Sequence, residues 1–195
     1  MSAAPQILDP QHPPARLALA YATAAGRPLW SAYFALEARL AEAGRRTSQP
    51  MMTQLRLAWW RDRLNAPASD WPQGEPLLAA LAPWDSERGA LVTLVDGWEA
   101  LLVGEDAGRA LAEARVGIML ALARLLGIDA APAIEAAARD WLAPDSVTSA
   151  PSLPRSMRPL AVLRLLAVRD AARQDRATAP FGDAFALLRL TLTGR

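Results

Sequence analysis

The sequence predicts an all-α single domain, on three observations. Almost every long segment repeats its apolar residues at helical spacing. Val, Ile and Thr are nowhere clustered in alternating runs of strand length. Gly, Pro and Asp fall where helices begin or stop. In chain order the periodicity predicts helices over 15–25, 28–44, 50–65, 75–82, 86–103, 107–127, 131–142, 157–173 and 181–193. Gly26, Gly104 and Gly127 punctuate as caps or turns, and Asp85 and Asp106 sit where N-caps belong. Pro50 suits the first turn of its helix, where a missing N–H costs nothing, with Ser48 or Gln49 as the cap before it. Two loops stand out, 65–74 and 143–154. Met1–Pro14, with Pro5, Pro10 and Pro13 ahead of Pro14 and no apolar stretch, reads as a flexible arm and not a secretory signal, leaving 15–195 as the domain.

A chain of 195 residues can bury one substantial core and is too short to argue for two. Apolar residues make up 52% and charged residues 21%, which excludes a disordered chain. The longest uninterrupted apolar-and-glycine run is Val116–Ala123, far short of the roughly 20 residues that cross a bilayer. The expected location is cytoplasmic.

There is no cysteine and no lysine, and the one histidine, His12, lies in the proline-rich arm. A thiolate nucleophile, a disulfide scaffold, a Schiff base and a P-loop lysine are excluded together, and a histidine triad or zinc site loses its ligands. All 21 basic residues are arginine. They are distributed unevenly. Residues 1–65 carry 8 Arg against 4 acids, 66–150 carry 5 against 13, and 151–195 carry 8 against 3. Basic ends flank an acidic middle, a layout that suits attraction between helices, an anion-binding face or an anionic membrane. It gives no nucleic-acid footprint.

The densest segment is Ser48-Gln49-Pro50-Met51-Met52-Thr53-Gln54-Leu55-Arg56-Leu57-Ala58-Trp59-Trp60-Arg61-Asp62-Arg63-Leu64. At about 100° per residue, Met52, Leu55 and Trp59 share one face, expected to be core, while Arg56, Trp60 and Arg63 share another. Arg56 and Trp60 are one turn apart, so the guanidinium is placed to stack on the indole. The plainer alternative makes Trp59 and Trp60 two core anchors, with Arg56, Arg61 and Asp62 in surface ion pairs.

This segment, and the Arg27-Pro28-Leu29-Trp30-Ser31-Ala32-Tyr33-Phe34-Ala35-Leu36-Glu37 helix before it, resemble the squalene/phytoene synthase family. Its members carry Ser-Glu-Pro…Arg-Leu-x-Trp-Trp-Arg-Asp after an Arg-Pro…Tyr-Ala-Phe helix. The likeness continues through Leu91-Val92-Thr93-Leu94-Val95-Asp96-Gly97-Trp98-Glu99, Gly117 and Leu153-Pro154-Arg155-Ser156-Met157-Arg158-Pro159-Leu160. It is best to the divergent short branch that includes a mitochondrial respiratory complex I assembly factor. The resemblance implies an isoprenoid-synthase-like helical bundle, truncated relative to the enzymes.

Those enzymes condense two prenyl diphosphates with paired aspartates on facing helices. Carboxylates at i and i+4 point the same way and hold Mg²⁺, which neutralises the departing diphosphate. Among the 20 acids of this chain no two are four apart. Leu40 and Ala41 stand where the first motif belongs, Glu37 and Glu42 are five apart, and Asp140 and Asp145 are split by Pro144. Asp140 follows Arg139, an echo of the family's Arg-Asp. Asp96 and Glu99, at i and i+3, are the remaining pair that shares a face.

The expectation is therefore a non-catalytic family member acting by binding, with no metal and no catalytic residue. Tyr33, Arg56, Trp60 and Arg63 are its candidate ligand- or cavity-lining residues, and Asp96, Glu99 and Asp140 its weaker carboxylate candidates. The resemblance implies a protein partner such as a respiratory complex subunit, at the cytoplasmic face of an inner membrane. Peripheral membrane or prenyl-lipid contact belongs to the same expectation, and nucleic acid does not. The alternative is a divergent prenyl transferase acting on prenyl diphosphates with Mg²⁺. In the C-terminal helix Arg158, Arg169, Arg173 and Arg176 fall in a narrow sector, which suits a membrane surface, but Arg164 projects from nearly the opposite side.

Overall fold

The computed structural model describes residues 12–45, 50–104, 106–144, 147 and 151–175. It is an all-α bundle. The α-helices are α1 (Pro13–Ala20), α2 (Arg27–Arg45), α3 (Pro50–Asn65), α4 (Pro76–Leu81), α5 (Arg88–Val103), α6 (Arg109–Leu125), α7 (Ala131–Leu142) and α8 (Arg158–Asp175). The predicted 181–193 helix and most of the predicted arm lie outside the described residues.

Side-chain chemistry explains where the boundaries differ from the periodicity. α1 stops at Ala20 instead of 25 because Thr23 offers the backbone another partner: its Oγ1 accepts the Gly26 N–H at 3.2 Å, closing a turn before α2. α4 gives way at Leu81 to a 3₁₀ stretch, Ala82–Glu87, in which Pro83 has no N–H to continue the α-helical ladder. Asp85 is not an N-cap. Its Oδ1 accepts the Ala68 N–H at 2.9 Å and so ties the loop after α3 to the start of α5. Asp106 does act at the head of α6, accepting from the N–H groups of Gly108 and Ala110 at 3.0 and 2.6 Å. Gly104 ends α5 at φ 82° and Gly127 follows α6 at φ 64°, conformations that favour glycine.

α2 and α3 are joined by a short connection, and Thr53 Oγ1 donates to the Ala43 carbonyl at 3.2 Å across it. α5 runs antiparallel to α3. Its start is tied to the residues after α3 by Ala68 and Asp85, and its middle to Arg61, which binds Asp96 and Glu99. α6 packs along α5, α7 along α6, α8 along α7 and α1, and the Trp30 Nε1 of α2 reaches the Ser156 carbonyl at 3.3 Å just before α8.

The core is contiguous, and α2 supplies most of its fully buried aromatic rings. Trp30, Tyr33, Phe34, Leu36 and Leu40 are fully buried, with ring centroids 5.7 Å apart for Trp30–Phe34 and 5.3 Å for Tyr33–Phe34. Trp71, Trp84 and Trp141, at loops or helix ends, are buried against the core.

α3 corrects the sequence reading. Its buried stripe is Thr53, Leu57, Trp60 and Leu64, and the Met52, Leu55 and Trp59 face expected to be core is exposed. Both stripes have helical spacing, so periodicity alone gives the helix no preferred inward direction; the packing against α2 and α5 selects one.

Candidate functional site

The bundle interior between α2, α5 and α6 is polar at one point. Glu37, fully buried, accepts from Arg115 Nε at 2.8 Å and Nη2 at 2.9 Å, from the Tyr33 hydroxyl at 3.0 Å and from Trp98 Nε1 at 3.0 Å. The guanidinium of Arg115 lies 5.6 Å from the Trp98 ring centroid and 5.8 Å from that of Trp141. Both charges are thus compensated by a two-pronged ion pair and surrounded by aromatic faces. Burial opposes the charge on Arg115, but the attraction and hydrogen bonds of Glu37 outweigh it and raise its pKa. Burial first, and the neighbouring Glu37 second, hold the Tyr33 hydroxyl well above the ordinary tyrosine pKa, so it stays a donor.

This assignment places Tyr33 in the core network, apart from the residues expected to line a cavity with it. Glu37 and Arg115 were not among the sequence candidates. A signal for them exists in the pattern. Glu37 falls on the stripe of Trp30, Tyr33, Phe34, Leu40 and Ala41, and Arg115 on that of Leu111, Ile118 and Leu122: each is a lone charge on an apolar helix face.

The three weaker carboxylate candidates are each held by an arginine. Asp96 accepts from Arg61 Nε at 2.6 Å, and Glu99 accepts from Nη2 of the same guanidinium, so the predicted i, i+3 pair does act together, toward α3. Hydrogen bonding to Glu99 raises the pKa of Arg61. Asp140 accepts from Arg164 Nε at 2.7 Å, linking α7 to α8. Among the described residues no group of three or more His, Cys, Asp or Glu is arranged to hold a metal ion.

Arg56 and Trp60 do meet, in a recess of about 230 Å³ between α2 and α3 that is also lined by Arg39, Glu42, Ala43 and Trp59. The expected stacking is different in detail. It is Arg39, from α2, whose guanidinium lies 5.9 Å from the Trp60 centroid, and Trp59 meets Trp60 edge-on at 5.0 Å. Arg56 turns instead so that its Nη1 is buried with no hydrogen-bond partner. Arg63 does not line the recess; it is half-buried, and its Nε is likewise buried without a partner. A buried guanidinium N–H without an acceptor is costly, and an oxyanion entering the recess would supply one to Arg56.

The large exposed apolar side chains of the described residues are Met51, Met52, Leu55 and Trp59 on α3 and Leu102 and Val103 at the end of α5. Because α3 and α5 are antiparallel, the first turns of one and the last turn of the other lie at the same end of the bundle. Among the described residues no helix is long and apolar enough to cross a membrane. No family model, no curated protein and no solved structure matches this chain.

Proposed function

We propose that this chain is a non-catalytic protein of squalene/phytoene-synthase type that acts by binding, in the assembly of a respiratory complex at the membrane. The observation that carries the non-catalytic part is Glu37. The carboxylate at the centre of the bundle accepts four hydrogen bonds, two of them from a guanidinium, and has no capacity left for a metal-bound diphosphate. The carboxylates nearest in kind to a metal pair, Asp96 and Glu99, face Arg61. The family itself, the respiratory partner and the cytoplasmic, membrane-peripheral location rest on the sequence resemblance.

The recess between α2 and α3 favours one second reading. Its unpartnered Arg56 Nη1 and the neighbouring Arg39 suit a diphosphate, as a divergent prenyl transferase would need.

One experiment separates the two. Calorimetric titration with farnesyl diphosphate, with and without Mg²⁺, followed by product analysis, is expected to give no Mg²⁺-dependent binding and no product. Mg²⁺-dependent binding with turnover would replace the first reading with the second and make Asp96, Glu99 and Asp140 the first residues to substitute. The partner is tested in the organism itself: loss of the chain should lower the amount of assembled respiratory complex, and Glu37→Ala should fail to restore it.

A further inference from the structure

The apolar residues that the bundle leaves outside are not scattered. Met51 is 78% exposed, Leu55 63% and Trp59 40%, and with Met52 they form the outer side of α3; Leu102 and Val103 extend the patch from the adjoining end of α5. Taken with their sizes this is on the order of 600 Å² of apolar side chain, at the upper limit of the largest patch on an ordinary monomer. At its edge lies the recess with Arg39 and Arg56. Of the carboxylates nearby, Asp106 is engaged by the head of α6 and Asp96 and Glu99 by Arg61, while Glu42 lines the recess beside the two arginines and Asp62 is exposed three residues after Trp59. The patch itself offers apolar surface and one half-exposed indole with a guanidinium at its edge, the combination found where a protein sits in the headgroup layer of a bilayer.

We infer that the outer side of α3, with the last turn of α5, docks on an anionic phospholipid surface. The apolar side chains enter the acyl boundary, Trp59 lies at headgroup level, and a phosphodiester oxygen accepts from Arg56 Nη1. The recess decides between occupants. A phosphodiester oxygen supplies the acceptor that the buried Arg56 Nη1 lacks there, and the apolar face of a helix from another protein does not. This surface is distinct from the arginine sector of α8, whose helix packs on α1 and α7. The inference deepens only the membrane part of the proposed function. The test below contains neither prenyl diphosphate nor a partner protein, so its failure would leave the binding reading standing.

The full chain is mixed with vesicles of phosphatidylcholine alone, or with roughly a third of the lipid replaced by phosphatidylglycerol, and the bound fraction is measured by flotation. Binding to the anionic vesicles is expected, weakening as salt is raised. Leu55→Asp should lower the partition coefficient roughly tenfold or more, and Arg56→Gln about threefold, with helical circular dichroism unchanged. Leu102→Asp, on a different helix, repeats the test in case Leu55→Asp folds poorly, and Ala79→Asp on the exposed side of α4 should change nothing. Lipids with quenchers in the acyl chain should dim the wild type more than Trp59→Phe. Equal binding to both vesicle types, no binding, or binding that survives both Asp variants would overturn the inference. So would concentration-dependent self-association that Leu55→Asp abolishes in the absence of vesicle binding, because a second copy would then cover the patch.

Discussion

Glu37 and Arg115 show what a buried charge does to the stability of this chain. The pair is 0% and 3% exposed, so removing one member leaves the other charged and unsolvated in the core. Arg115→Met or Glu37→Leu alone should cost about 3–5 kcal/mol in urea unfolding, whereas the double replacement should recover part of that loss, because no charge is then left unpaired although the Tyr33 hydroxyl and Trp98 Nε1 lose their acceptor. A double variant as unstable as the singles together would show that the pair is not the coupled unit described. Tyr33 adds a pH dependence. Its folded pKa is raised, so its contribution is complete below the unfolded value of about 10 and is lost as pH rises above it, where the unfolded chain ionises and the folded chain resists. Unfolding free energy should therefore fall progressively as pH rises above about 10, and Tyr33→Phe should flatten the fall. The periodicity of the sequence placed both charges on apolar stripes, but charge spacing on a single helix does not reveal a partner 78 residues away. That partner depends on how α2 and α6 pack.

Helices were legible in the sequence and their orientation was not always so. α3 and α7 begin and end where the periodicity and Pro50 put them, since local spacing and caps suffice for that. Which side of α3 faces inward depends on neighbours, and a helix with apolar residues nearly all round carries no local answer. α5 shows an opposite case, in which a small residue fixes the packing. A Cβ added at Gly97 would lie 2.8 Å from Leu111 Cα and 3.1 Å from the Ala110 carbonyl, both backbone atoms of α6 that cannot swing aside. Gly97→Ala should force α5 and α6 apart and destabilise by about 1–3 kcal/mol, despite the better helix propensity of alanine. Gly89→Ala in the first turn of the same helix meets no atom within 4 Å and serves as the control: it should be neutral or slightly stabilising. If thermal melts put Gly97→Ala level with Gly89→Ala, the close approach of α5 and α6 is wrong.

Across the whole molecule, the basic–acidic–basic layout is used to hold helices from different thirds of the chain together. Arg61 of the first basic segment binds Asp96 and Glu99 of the acidic one, and Arg164 of the last binds Asp140. Within the acidic segment Arg124 binds Glu87, and Arg139 binds Glu113 and Glu135. Hydrogen bonds from Arg139 lower the pKa of Glu113, so what that exposed pair contributes is present above the ordinary carboxylate range and is lost as pH falls through it. These pairs differ in their access to water, and salt should sort them. Exposed pairs contribute about 0–1 kcal/mol each and are screened within about 10 Å at 0.1 M salt, whereas the Glu37–Arg115 pair has no ions near it. Raising salt from about 20 mM to about 0.5 M should therefore lower the melting temperature by a few degrees, the equivalent of about 1–2 kcal/mol summed over the surface pairs. Arg61→Met removes the guanidinium that joins α3 to two acids of α5, and in that variant the salt dependence should shrink. A melting temperature that does not respond to salt would mean that the charge layout holds no helices together, and that its place is at an external anionic surface alone.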